Sequence, residues 1–312
     1  MDRIRIVITG GMGFIFSHVS EFFLKKGYDV YVFDNMSEGS HPELIEEFKK
    51  NYKNFFFNKL DVSFSAAIDS IVRTNPHYII HAAAISDVDY SIKNPIKTIH
   101  ANNNTTINLF EAARKCRELR RFLYVSTDEV YGECDHPKEE DEIIFPKNPY
   151  SLSKAFGSLL RITYDNTYPE LKDKTVETRF CNVFGHRQDD RKVIPAIKRA
   201  LSGGKPLAVH NKGEGYRQYI HVSEIPPIID VLLEKGHRTY NITSGQGYTV
   251  SELIEIAERV TGKTIPTIPS KRQGMDMRYD MSSKRLADEF GWKLNMSFDE
   301  SFLNYLNGTD LN

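Results

Sequence analysis

Apolar runs of strand length recur through the first half of the chain: Arg5 to Thr9 (RIVIT), Asp29 to Phe33 (DVYVF), Asn54 to Leu60, Tyr78 to Ala84 (YIIHAAA), Arg121 to Ser126 (RFLYVS) and Thr175 to Arg179. Between them lie stretches with helical spacing: Val19 to Lys26 closed by Gly27, the charged His41 to Lys53, Asn102 to Arg117, and a segment opening at Pro149. Strand alternating with helix implies right-handed crossovers and an α/β, doubly wound parallel sheet. Past residue 180 glycines, prolines and turns become more frequent, as in Gly203-Gly-Lys-Pro206 and Asn211-Lys-Gly-Glu-Gly215. This predicts a smaller α/β region in the C-terminal part, with helices over Val250 to Val260 and Ser283 to Phe290 and Trp292 packing behind the latter. The expected division is 1–178 with 217–235 for the first domain, and 179–216 with 236–312 for the second.

The turn after the first strand reads Gly10-Gly-Met-Gly13-Phe-Ile-Phe16. Strand, glycine turn and helix in this order predict a Rossmann-like dinucleotide site, with Gly10 allowing the tight turn, Gly13 the approach of pyrophosphate, and Phe14 and Ile15 at the helix amino terminus. Phe16 stands where a third glycine would allow close helix packing, so its ring is expected to displace the helix or crowd the cofactor. Asp34 ends the second strand about 20 residues after the glycines, placed for both ribose hydroxyls, and its charge favours NAD over NADP. An Asp-Asn pair is also an ordinary turn. Asn35, Asp61, Val62, Ala82 and Ala83 follow strand ends on the same edge, the alanines being small enough for a cofactor to lie against backbone. Alanines are ordinary packing residues as well.

Ser126-Thr-Asp-Glu-Val-Tyr-Gly132 leaves the fifth strand at the ligand edge, and Tyr150 and Lys154 share one face of the helix that opens at Pro149. The lysine is expected to lower the phenol's pKa from about 10. Thr127 can bond the same substrate oxygen, and Asp128 and Glu129 offer an acid and a base. Ser126-x-x-Glu129 also fits a capping box.

Charge narrows the partners. Lys and Arg number 41 against 42 Asp and Glu, a net charge of -1, so there is no global field for nucleic acid. Anionic ligands must meet local cations, of which Arg187, Lys192, Arg217, Arg272 and Arg278 lie in or beside the later loops. Cys116, Cys134 and Cys181 fit no disulfide framework or metal spacing, and the ten histidines form no ligand cluster. No membrane span is expected, and a reducing cytoplasmic location is.

These motifs, with Tyr150-x-x-x-Lys154, Arg217-Gln-Tyr-Ile-His-Val222 and Arg278-Tyr279, resemble the extended short-chain dehydrogenase/reductases, and among them the nucleotide-sugar 4,6-dehydratases. Thr127-Asp128-Glu129 is the specific part. The resemblance implies that Tyr150, assisted by Lys154 and Thr127, removes the C4 hydroxyl proton while NAD takes a hydride. Glu129 then removes the C5 proton and Asp128 protonates the leaving C6 hydroxyl. It further implies that Asn182, Lys192, Arg217 and Arg272 meet the nucleotide, that Ser86 faces the hexose, and that homodimers form through the helices near Asn102 to Arg117 and Tyr150 to Tyr164. The chain departs at Phe16, at Met275 in place of His, and at Ile85 and Asp87 in place of Glu and His. dTDP-glucose, UDP-glucose and UDP-N-acetylglucosamine therefore all stand as substrates. The competing readings are a 4-epimerase or decarboxylase of the same fold, or a sensor that binds NAD or a nucleotide sugar without turnover.

Overall fold

The structure, a computed structural model, describes residues 3–271 and 277–309. In chain order the strands are β1 (Arg5–Thr9), β2 (Asp29–Asp34), β3 (Phe55–Lys59), β4 (Tyr78–His81), β5 (Arg121–Thr127), β6 (Thr175–Phe180), β7 (Asn182–Phe184), β8 (Leu207–His210), β9 (Tyr216–His221), β10 (Thr239–Ile242), β11 (Gly247–Thr249) and β12 (Thr267–Ser270). The main sheet has seven strands in the order β10-β6-β5-β4-β1-β2-β3. β1 pairs in parallel with β2 and β4, as β2 does with β3 and β4 with β5. Strand order reverses beside β1, the place where a doubly wound sheet opens a crevice at its carboxyl edge.

Two compact units result, one of Met1–Val130, Pro146–Arg179 and Pro226–Tyr240, the other of Tyr131–Phe145, Phe180–Ile225 and Asn241–Asn312. The first has its core between sheet and helices, where Val7, Ile79, Phe110, Phe122 and Tyr124 are shielded from water. The second is built around Phe184, Leu253, Phe298 and Phe302, beside a small β11-β9-β7 sheet and a β12-β8 pair.

Several elements differ in extent from the sequence expectation. The first helix runs Phe14–Lys25, starting directly at the glycine turn. Residues 85–91 contain the start of a Val88–Lys93 helix that the apolar pattern does not announce, because Asp87 accepts the Tyr90 N–H at 2.8 Å as its cap. The next helix begins at Pro95 rather than Asn102 and reaches Lys115.

Candidate active site

The strand β5 delivers Thr127 and Asp128 to a buried position and Glu129 to a half-buried one, in a short 3₁₀ turn over Asp128–Tyr131. Thr127 Oγ1 donates to Asp128 Oδ1 at 3.0 Å and accepts the Glu129 N–H at 3.3 Å. Thr127 therefore makes the turn's side-chain bond that the sequence suggested for Ser126, whose buried hydroxyl has no partner. Asn148 caps the Pro149–Thr167 helix reciprocally with Ser151, and its Nδ2 donates to Glu129 Oε2 at 2.8 Å. The carboxylate is thus tied to the start of the helix that bears Tyr150.

Tyr150 and Lys154 face inward from that helix, both buried. Lys154 Nζ donates to the Val125 carbonyl at 2.8 Å and lies 5.3 Å from the Tyr124 ring centre. Burial draws its ammonium down to about 8, against the opposing pull of Glu177. For Tyr150, burial and then the charges of Glu129 and Asp128 push the phenol well above its usual range, while a hydrogen bond with Thr127 pulls the other way. The expectation that Lys154 lowers this value is corrected: the ammonium is engaged by backbone, and burial, followed by the two carboxylates, sets the phenol's surroundings.

Gly157 explains how the helix comes so close. A Cβ there would overlap Tyr124 Oη and Cζ, so only glycine admits the ring, whose hydroxyl donates to the Lys154 carbonyl at 3.0 Å. Nothing in the sequence marked Gly157 except its place one turn after Lys154. Asn148 was likewise missed, although an Asn-Pro pair ahead of a helix is a usable cap signal.

The other residues of the first unit expected at the site line the ends of β1, β2, β3 and β4. Gly10 has φ +69°, and a Cβ there would lie 2.9 Å from Ala83 backbone. At Gly13 a Cβ would meet only the Gly10 carbonyl, at 3.3 Å, so the turn keeps open space before the helix, where Phe14 and Ile15 are half-buried. Phe16 is buried at 5% exposure. The close approach to β2 is made by the turn at Gly11 instead, where a Cβ would stand 2.9 Å from both Val32 methyls and 3.0 Å from Ser20 Oγ of the helix. Asp34 accepts the N–H groups of Met12 at 3.1 Å and Met36 at 2.8 Å. Asn35 donates to Asp61 at 3.2 Å. Burial pushes the Asp61 carboxyl up, but bonds from Ser63 and Asn35 outweigh it and hold it below its usual value. Val62 is buried, its carbonyl accepting from Asn108 Nδ2 at 3.0 Å.

A hydrogen-bond chain fixes the Ala82-Ala83 edge. Both N–H groups reach Thr9 Oγ1 at 3.2 Å, Thr9 Oγ1 lies 3.2 Å from His81 Nδ1, and His81 Nε2 lies 3.1 Å from Thr106 Oγ1, which donates to the Asn102 carbonyl. The directions assign a neutral His81 with its proton on Nε2. Burial, then the Lys154 charge, lowers the His81 pKa far enough to keep it so. Ser86 is exposed on the loop that follows.

In the second unit Asn182 opens β7, exposed, with its Nδ2 at 3.4 Å from the Gln218 carbonyl. Lys192 precedes the Val193–Leu201 helix and is exposed. Arg217 on β9 stacks 4.4 Å over Tyr279, and Arg278 stacks 4.3 Å over Tyr216. Arg187 has φ +69°. Arg272 and Met275 lie outside the described residues.

The family model "GDP-mannose 4,6 dehydratase" matches residues 7–303. The chain belongs to that family. It is 30% identical over 309 residues, 95% of the chain, to a trifunctional UDP-glucose 4,6-dehydratase/UDP-4-keto-6-deoxy-D-glucose 3,5-epimerase/UDP-4-keto-L-rhamnose-reductase of Arabidopsis thaliana, and it spans about half of that relative's length, 46%. A solved dTDP-glucose 4,6-dehydratase from Streptomyces venezuelae, with NAD bound, is 28% identical with a TM-score of 0.89, covering 97% of this chain and 96% of the other. A UDP-glucose 4-epimerase from Thermotoga maritima is 26% identical with a TM-score of 0.87, covering 97% and 98%. Among the described residues no helix is long and apolar enough to cross a membrane.

Proposed function

We propose that this chain is an NAD-dependent nucleoside-diphosphate-hexose 4,6-dehydratase, a hydro-lyase making a 4-keto-6-deoxy sugar nucleotide from dTDP-glucose, UDP-glucose or UDP-N-acetylglucosamine. The observation that carries this reading is the acid pair Asp128 and Glu129 in the turn after β5, with Glu129 Oε2 held at 2.8 Å by Asn148, the cap of the helix that bears Tyr150. Oxidation at C4 needs a tyrosine and its helpers. Two further carboxylates are superfluous for a 4-epimerase or a decarboxylase, and a sensor needs none of these groups.

The residues fit the dinucleotide: a positive-φ Gly10, open space at Gly13, a helix amino terminus for pyrophosphate, and a carboxylate at Asp34 that accepts from Met12, Met36 and Ser40 and keeps about one lone-pair site, on Oδ2, for a ribose hydroxyl. Bound NAD supplies the acceptor and donor for a hydride that leaves C4 and returns to C6. Tyr150 takes the C4 hydroxyl proton, with Thr127 bonding the same oxygen and Lys154 assisting from one turn along the same helix, and Tyr150 and Lys154 are also assigned to the cofactor. The resulting ketone acidifies C5. Glu129, oriented by Asn148, removes that proton, Asp128 donates one to the C6 hydroxyl, which departs as water, and Glu129 returns a proton to C5 when C6 is reduced. Asn182, Lys192, Arg217 and Arg272 are assigned to the nucleotide and Ser86 to the hexose.

The finer setting is also proposed: a cytoplasmic homodimer. Leu152, Leu159 and Ile162 are exposed on the Tyr150 helix, and Ile96 and Ile107 on the Pro95–Lys115 helix, an apolar surface suited to a second copy. The deciding test is incubation of the purified protein with dTDP- and UDP-sugars, read by mass for loss of one water. Sugars that only interconvert at C4 would favour the epimerase, and unchanged sugars across the panel the sensor.

A further inference from the structure

Beneath the proposed site lies a charged cluster with no part in the chemistry above. Glu177 on β6 is completely buried. Its Oε1 accepts from Ser158 Oγ at 2.6 Å and from Arg179 Nε at 2.8 Å, and its Oε2 is 3.5 Å from Arg161 Nε. Arg161 also reaches Thr239 Oγ1 at 3.2 Å. Ser158, one turn after Lys154, lies 3.3 Å from the Lys154 carbonyl. A carboxylate in a dry interior is expensive unless paired, and here it meets two guanidinium groups. Its charge matters, because Glu177 stands between these guanidinium groups and a third cation, Lys154.

The surroundings of Lys154 can be taken element by element. β4 contributes neutral His81, β5 the Tyr124 ring and the Val125 carbonyl, and the lysine's own helix Tyr150 and Arg161. Asp128 and Glu129 act on the Tyr150 side. From β6 come Glu177 and Arg179. Glu177 is the anion whose charge acts on the lysine, and it opposes the effect of burial there.

We propose that Glu177, which touches no reacting atom, is a positioning residue: through Ser158 it holds the Lys154 turn of the helix on the sheet, and its carboxylate is the counter-charge to the Lys154 ammonium. The inference rests on the functional reading above, in which Lys154 serves the cofactor and the phenol. Removing the carboxylate takes away the anion that acts on Lys154, so the lysine loses its proton at lower pH.

The test is the NAD dissociation constant of the purified full chain across pH 6 to 9, for wild type and Glu177→Gln, with thermal melts to confirm folding. Glutamine keeps the size and a hydrogen bond to Ser158, so a purely structural role would leave the pH profile in place. The expected result is a profile displaced downward by about one pH unit, an affinity loss of about fivefold at pH 8 that is recovered near pH 6. A folded Glu177→Gln protein with the wild-type profile overturns the proposal. Should that variant not fold, the exchange Ser158→Glu with Glu177→Ser returns the charge across the same 2.6 Å contact. A wild-type midpoint in that folded double variant supports the proposal, and a midpoint displaced downward overturns it. Wild type that binds no NAD at any pH would instead overturn the functional reading itself.

Discussion

Asn148 joins Glu129 to the cap of the Tyr150 helix: its Nδ2 donates to Glu129 Oε2 at 2.8 Å while its Oδ1 accepts the Ser151 N–H at 2.8 Å. One amide, in one orientation, therefore serves both folding and the proposed base. Asn148→Ser retains an oxygen for the cap but loses the donor to Glu129. It should melt close to wild type, whereas Asn148→Ala should cost about 1 kcal/mol. Both should slow elimination at C5. Melting curves together with solvent-deuterium exchange at C5 separate the two contributions, and normal exchange in Asn148→Ser would deny the contact any role.

Glu129→Gln tests the division of labour between the acids. Oxidation by Tyr150 proceeds but the C5 proton stays, so single-turnover absorbance should show reduced nicotinamide accumulating and C5 exchange lost. Asp128→Asn should keep C5 exchange and slow the loss of water. Wild-type dehydration by Glu129→Gln would remove that residue from the mechanism.

The lysine makes a prediction about stability and pH. Its folded-state pKa is depressed from 10.5 to about 8, so the group contributes stability that is present above its unfolded value and lost as pH falls through about 8. At pH 7 the buried charge costs on the order of 3 kcal/mol. Lys154→Met should accordingly gain on wild type at pH 7, and the gain should shrink as pH rises toward 10.5. Thermal melts at pH 7 and pH 10 measure it, with NAD binding expected to weaken in the variant.

Gly157→Ala places a methyl group inside Tyr124. The helix must lift from β5, with a loss of roughly 1–3 kcal/mol. Lys154 and Tyr150 move with it, so turnover should fall more than the stability loss alone explains, with kcat affected before the KM for sugar. Unaltered kcat in a folded variant would show that this contact does not set the position of the site.

Phe16→Gly should not repair the dinucleotide motif. The ring is buried and Gly11 already supplies the close approach to β2, so removing the phenyl leaves a cavity costing about 3–5 kcal/mol, with glycine adding about 1 kcal/mol of helix propensity. A lower melting temperature with unimproved NAD affinity is expected. Tighter NAD binding by the variant would show that the ring crowds the cofactor after all.

The sequence by itself determined the frame. Strand runs at β1, β2, β4 and β5 were legible because a sheet covered on both faces needs unbroken β-branched and aromatic segments, and Gly10, Asp34, Thr127, Asp128, Glu129, Tyr150 and Lys154 were legible because each stands at a strand end or a helix start. Local spacing carries that information. Tertiary structure decided what depends on residues far apart in the chain. Tyr124 fills the gap left by Gly157, Val32 the one left by Gly11, and Glu177 balances Arg161 and Arg179 beneath Lys154. It also reversed the expected pKa of Tyr150, since burial and the facing carboxylates outweigh a lysine whose proton is held by the Val125 carbonyl. A motif states which groups are near in sequence, but their energies depend on how much water the fold excludes and which charges it brings alongside.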